Sequence, residues 1–98
     1  MEYSKKLDGT KLSYTVSGRL DTNTAPVLND DLVKSLDGVT ELVMDLKDLE
    51  YISSAGVRVL LSAYKIVGKK GTMVLKNLSD IVREVLTVTG LIDFFTIE

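Results

Sequence analysis

Residues 42–68 read LVMDLKDLEYISSAGVRVLLSAYKIVG, and this stretch decides the fold. Its first part, Leu42 to Leu46, is a short and nearly continuous apolar run, which is typical of a strand inside a sheet. Its last part, roughly Ala55 to Gly68, has a helical period with only a narrow polar stripe. We expect the residues between the two to form a connecting loop. A strand followed by a helix is the repeating unit of α/β folds, so the stretch predicts a mostly parallel sheet.

The chain before this stretch predicts an antiparallel hairpin. Leu12 to Leu20 alternates apolar and polar residues, as a strand with one buried face does. Tyr3 to Leu7 is a weaker strand pattern, and the pair Asp8-Gly9 between the two favours a tight turn. The chain therefore opens with two antiparallel strands.

Two further helices and two further strands complete the predicted fold. The first helix follows the capping residues Thr22 to Thr24, has Pro26 in its first turn, and ends at Asp37-Gly38. The last helix runs from Ser79 or Asp80 to Thr89, with Gly90 as its C-terminal cap. The remaining strands are Met73 to Leu75 and Phe94 to Ile97. Right-handed crossovers in one direction then place three helices on one face of about five strands, in one domain.

The composition excludes several classes of function. The 98 residues carry 12 basic and 14 acidic side chains, which argues against nucleic acid as a partner because phosphate binding needs clustered positive charge. His and Cys are both absent, so this chain cannot form a Ser-His-Asp triad or the usual zinc sites. No secretory signal is visible, and no apolar run approaches the roughly 20 residues of a membrane span. We therefore expect a cytoplasmic protein that is not an enzyme, holds no cofactor or metal, and does not insert into membranes.

The turn before the central helix contains two serines, Ser53 and Ser54, and either can act as its N-cap. An exposed serine at a helix N-terminus also suits phosphorylation, because the phosphate meets free N–H groups and the positive end of the helix dipole. The apolar arc of this helix is wider than usual. Its edge at Val57, Leu61 and Tyr64 is either exposed for a partner or wedged between neighbouring elements.

Five stretches of the chain resemble the STAS domain, the family of bacterial anti-sigma factor antagonists and their relatives in stressosomes and anion transporters. In chain order they are Gly18 to Asp21, Leu42 to Leu46, Tyr51 to Val57, Asn77 to Ser79, and Leu86 to Leu91. They span almost the whole chain in the family's order. The resemblance implies a single STAS-like α/β domain over residues 1–98.

The resemblance also implies a partner-switching role as an anti-sigma factor antagonist. In such families the unmodified protein binds an anti-sigma factor that is also a serine kinase, and so frees a sigma factor. The kinase phosphorylates a serine in an Asp-Ser-(Ser/Thr/Ala)-Gly turn, the complex is lost, and a metal-dependent serine phosphatase restores the active form. Counted back from Gly56, the acceptor falls on Ser54. Ser53 stands where the family often has Asp, and it is the alternative target.

The partner surface implied by the resemblance and by the helix pattern combines the turn, the start of the helix and one flanking acid. Its expected members are Asp21, Ser53, Ser54, Ala55, Gly56, Val57, Leu61 and Tyr64. Asp21 can instead be a loop or capping carboxylate, and for Asp45 a capping or loop role is the favoured interpretation. The alternative function is a phosphorylation-independent scaffold or assembly subunit, stressosome-like or associated with a transporter.

Overall fold

A computed structural model describes residues 1–98 as a six-stranded sheet with three helices. The strands are β1 (Glu2–Asp8), β2 (Lys11–Leu20), β3 (Glu41–Asp45), β4 (Leu49–Ile52), β5 (Thr72–Lys76) and β6 (Thr96–Ile97). The helices are α1 (Ala25–Ser35), α2 (Ser54–Val67) and α3 (Asp80–Val88), and a 3₁₀ turn covers Ile92–Phe94. The mostly parallel α/β domain predicted from the sequence is confirmed.

The sheet has the strand order β1-β2-β3-β5-β6, and β4 pairs separately with β2. Only β1 and β2 are antiparallel, and they form the predicted hairpin. The loop residues of that hairpin are Gly9 and Thr10 and not the pair Asp8-Gly9. Gly9 alone has a positive φ, of 62°, which fits the first central residue of a type II′ turn.

The strand β4 corrects the expectation of a loop between the third strand and the second helix. The ten-residue strand β2 pairs with β3 along its first half and with β4 along its second half. Without β4, the second half of β2 would lack a neighbour on that side. Leu49 and Ile52, at the two ends of β4, are each 1% exposed and belong to the core.

The C-terminal strand is shorter than predicted. Ile92–Phe94 forms a 3₁₀ turn, and only Thr96–Ile97 pairs with β5. Phe94 is 54% exposed, whereas Phe95 is buried. Phe95 therefore enters the core, and Phe94, where the strand was predicted to start, does not.

The core lies between the helices and one face of the sheet. The alternate residues Leu12, Tyr14 and Val16 of β2 are buried in the same cluster as Leu60 of α2 and Val82 of α3. Almost all of this core is aliphatic, and no charged side chain is buried. None of the helices is both long and apolar enough to span a bilayer.

Candidate functional site

The start of α2 is attached to the ends of two parallel strands. The last residues of β2 and β4, Leu20 and Ile52, are partners in the sheet. The Ser53 N–H then donates to the Leu20 carbonyl oxygen at 2.9 Å. This places the turn that begins α2 at the carboxyl edge of the sheet, where open α/β folds place their functional loops.

Ser53 is the N-cap of α2. Its backbone is extended, and its Oγ accepts a hydrogen bond from the Gly56 N–H at 3.3 Å. A side-chain acceptor at this position satisfies one of the N–H groups that have no partner within the helix. The Ser53 hydroxyl is therefore committed to a structural contact.

Gly56 brings the first turn of α2 into close contact with the strand ends. A Cβ atom added there would lie 2.8 Å from the Leu20 carbonyl oxygen and 2.7 Å from Cγ1 of Ile52. The backbone oxygen of a paired strand cannot move out of the way. The glycine therefore sets the position of the helix start, and with it the position of Ser54.

Ser54 is the first residue of α2 and is exposed. Neither the capping bond of Ser53 nor any other side-chain hydrogen bond in the structure uses the Ser54 hydroxyl. Because Ser54 is in the first helical turn, a negative charge on its Oγ would be close to the positive end of the α2 dipole. The two serines predicted as alternatives thus differ in role: one caps the helix and the other is free.

Asp21 follows β2 at the same edge of the sheet, and its side chain holds the loop that leads to α1. Its Oδ1 accepts from the N–H groups of Asn23 at 3.0 Å and Thr24 at 3.1 Å. The hydrogen bond from the Thr24 N–H is the main cause that lowers the pKa of Asp21; burial opposes it, and the Asn23 N–H adds to the lowering. Asp21 therefore has the loop role that was its alternative to partner binding. Asp45 has the loop role that the sequence favours for it, because its Oδ1 accepts a hydrogen bond from the Lys47 N–H at 3.0 Å.

Of the two interpretations of the α2 edge, the one that exposes it to a partner is wrong for Val57. Its side chain is 3% exposed, because it faces the core and not solvent. Leu61 and Tyr64 are half-buried, and the Tyr64 ring packs edge-on against Phe95 with 5.8 Å between ring centroids. The wide apolar arc of α2 therefore reflects a helix with neighbours on several sides, which is the second of the two interpretations.

An open groove of about 480 Å³ lies between α1 and α2, and Ala55, the residue after Ser54, is part of its lining. Small apolar side chains and three uncharged polar ones line it together with a single arginine. The lining residues are Thr22, Ala25, Pro26, Asn29, Ala55, Arg58, Val59 and Ser62. Only Ala55 among them is a site residue predicted from the sequence. The polar stripe that contains Arg58 and Ser62 was the available signal for the α2 side of the groove.

The comparisons with known proteins agree with this fold. The profile of the STAS domain matches residues 4–98. The chain is 32% identical to the anti-sigma-B factor antagonist of Bacillus subtilis over 93 residues, which is 94% of this chain and 85% of that protein.

Two solved structures of the anti-sigma factor antagonist SpoIIAA have the same fold. The unphosphorylated form superposes with a TM-score of 0.86 at 19% identity, covering 99% of this chain and 88% of that one. The phosphorylated form, from Bacillus, superposes with a TM-score of 0.78 at 18% identity, covering 99% and 91%.

Proposed function

The chain belongs to the STAS domain family, and we propose that it is a cytoplasmic, non-catalytic anti-sigma factor antagonist switched by phosphorylation of Ser54. Its partner is an anti-sigma factor that is also a serine kinase. A serine phosphatase reverses the modification. The B. subtilis relative, which is named an anti-sigma-B factor antagonist, supports the partner class.

The observation that carries the proposal is the difference between Ser53 and Ser54. Ser53 Oγ is used by the helix cap, whereas Ser54 is exposed one residue further on. A kinase can therefore reach Ser54 without breaking a bond of the fold. That SpoIIAA exists in a phosphorylated and an unphosphorylated form supports a switch of this kind.

The modification transfers the γ-phosphoryl group of ATP to the Oγ of Ser54. The O–P bond of the ester forms as the bond between the β- and γ-phosphates breaks, the hydroxyl proton is lost, and ADP leaves. The Ser54 side chain gains a charge of about −1.5 to −2 at neutral pH. Hydrolysis by the phosphatase restores the hydroxyl and releases inorganic phosphate.

The proposed docking surface includes this serine and extends along α2. It comprises the expected residues that remain accessible, Asp21, Ser54, Ala55, Leu61 and Tyr64, and it continues into the groove between α1 and α2. Ser53, Gly56 and Val57 contribute by holding the first turn of α2 in place. A phosphate at Ser54 would put negative charge and bulk at the N-terminal end of α2 within this surface while leaving the core untouched.

The test is a pull-down and phosphorylation assay with the small ATP-binding kinase encoded nearest to this chain's gene. We expect the wild type and Ser54→Ala to bind the kinase, and Ser54→Asp to bind at least tenfold more weakly. Mass spectrometry after incubation with ATP should find one phosphate on wild type and none on Ser54→Ala. Equal binding by Ser54→Asp, with no phosphate on Ser53 or Ser54, would favour the alternative of a phosphorylation-independent scaffold.

The substitution of the family's Asp by Ser53 is the observation that favours this alternative. A serine cap lacks the negative charge that an Asp would place beside the acceptor. The same assay with Ser53→Asp separates the two functions, because restoring the acid should speed phosphate transfer to Ser54 if the switch operates.

A further inference from the structure

Arg58 is the only charged residue that lines the groove between α1 and α2. It is exposed, and it takes part in neither of the two ion pairs of the structure, Lys5–Asp31 and Lys11–Glu41. The helix that carries it, Ser54–Val67, contains no acidic residue. The guanidinium therefore has no acidic partner within this protein.

The rest of the groove suits a protein side chain with an acidic end. Its apolar lining comes from Ala25, Pro26, Ala55 and Val59, which can pack against a methylene stem. Arg58 provides a planar fork of donors that matches a carboxylate in a two-bond geometry. An Asp or Glu of the partner, inserted between α1 and α2, would meet both requirements.

Ser54 and Arg58 are separated by one helical turn. Residues four apart on a helix have Cβ atoms about 5–6 Å apart and share one face. The order is also the favourable one, with the group that becomes negative on the N-terminal side of the cation. Both side chains are exposed, so nothing in the fold blocks their contact once Ser54 carries a phosphate.

We propose that Arg58 couples phosphorylation to partner release: in the unmodified protein it binds an acidic side chain of the partner in the α1–α2 groove, and the Ser54 phosphate captures it in an intrahelical ion pair. The guanidinium cannot make a two-bond contact with both anions at once. Phosphorylation thus removes the positive contact as well as adding a repulsive charge. This inference rests on the proposed function for the identity of the partner.

The first test needs no partner. Phosphoserine is installed at position 54 of the full chain by nonsense suppression, and the second ionisation of its phosphate is followed by ³¹P NMR. A pair with Arg58 should hold that pKa about 0.2–0.4 below its value in Arg58→Gln. Lys65→Gln, which removes a charge from the same helix two turns further on, is the matched control and should leave the titration unchanged. The same pKa in the wild-type background and in Arg58→Gln would overturn the proposal.

The second test measures the affinity of the unphosphorylated chain for the kinase partner. Arg58→Gln should weaken binding about tenfold and Arg58→Glu more, whereas Lys65→Gln should bind as the wild type does. Urea unfolding of each variant confirms that the fold is retained. Wild-type affinity in Arg58→Gln would overturn the proposal.

The two tests separate this inference from the proposed function. If no kinase modifies Ser54, the proposed function fails, while the titration with installed phosphoserine still reports on the pair. If Ser54 is modified and binding is lost but neither measurement responds to Arg58, the switch stands and the role of Arg58 is refuted.

Discussion

The Ser53 hydroxyl accepts a hydrogen bond from the Gly56 N–H at 3.3 Å, and this contact gives Ser53 a different role from its neighbour Ser54. Ser53 ends the loop and starts the helix. Ser54 is the first residue of the helix and is exposed, and its hydroxyl makes no hydrogen bond within the protein. A regulatory modification at Ser54 can therefore change the surface without changing the fold.

The two serines should respond differently to removal of the hydroxyl. Ser53→Ala loses the cap and should lower the free energy of unfolding by about 1 kcal/mol. Ser54→Ala removes no capping bond and should stay within about 0.5 kcal/mol of the wild type. Urea unfolding followed by circular dichroism measures both. An equal loss in the two variants would show that Ser53 is not the cap.

Gly56 should not tolerate a methyl group. Alanine favours helices over glycine, yet the added Cβ would meet the Leu20 carbonyl oxygen at 2.8 Å. We expect Gly56→Ala to lower the free energy of unfolding by about 1–3 kcal/mol through overpacking. Ser62→Ala, in the middle of the same helix, is the control and should change stability little. A stabilised Gly56→Ala would mean that the helix start moves away from the strand easily.

The helix starts could be predicted because their signals are local. Ser53 and Ser79 each accept a hydrogen bond from the N–H three residues later, and the identity of a capping residue is visible in any sequence. The strand β4 could not be predicted in this way. Its four residues are too few for a clear period, and its pairing depends on the second half of β2, which is far away in the chain and which β3 does not reach.

The sequence pattern also could not predict which part of α2 is exposed. Periodicity showed that most of the helix surface is apolar, but it does not say where neighbouring elements lie. Exposure of the edge was one of two interpretations, and it is wrong for Val57, which faces the core. The groove arises from the packing of α1 beside α2, which only the three-dimensional arrangement reveals.

Filling the groove should block the partner without harming the fold. Ser62 is half-buried in the groove wall, so Ser62→Leu should occupy space that the partner side chain needs. We expect the affinity for the anti-sigma partner to fall at least tenfold while the urea midpoint stays close to that of the wild type. Ser4→Leu places the same side chain at an exposed position of β1, outside the groove, and should bind normally. Normal binding by Ser62→Leu would place the docking surface elsewhere.

A polar cluster that joins the N-terminal hairpin to α1 should make the free energy of unfolding depend on pH in the acidic range. Lys5 Nζ donates to the Asp31 carboxylate at 3.0 and 3.1 Å, and the Tyr14 hydroxyl donates to Asp31 Oδ2. Burial raises the pKa of Asp31, but the hydrogen bonds from Tyr14 and Lys5 outweigh it and leave the pKa below its usual value. Burial and the bond to Asp31 raise the pKa of Tyr14, so its hydroxyl stays protonated as a donor.

A folded-state pKa below that of the unfolded chain gives stability that is present above about pH 4, the ordinary value for Asp, and is lost as the pH falls through the folded pKa. Asp31→Asn should therefore be less stable than the wild type at pH 7, and the difference should shrink steadily between pH 4 and pH 2. Urea unfolding at half-unit pH steps measures this. Asp30→Asn, which removes an exposed neighbouring charge that makes no ion pair, is the control and should keep the wild-type pH profile. A difference between Asp31→Asn and wild type that persists undiminished at pH 2 would show that Asp31 acts through its shape and not through its charge.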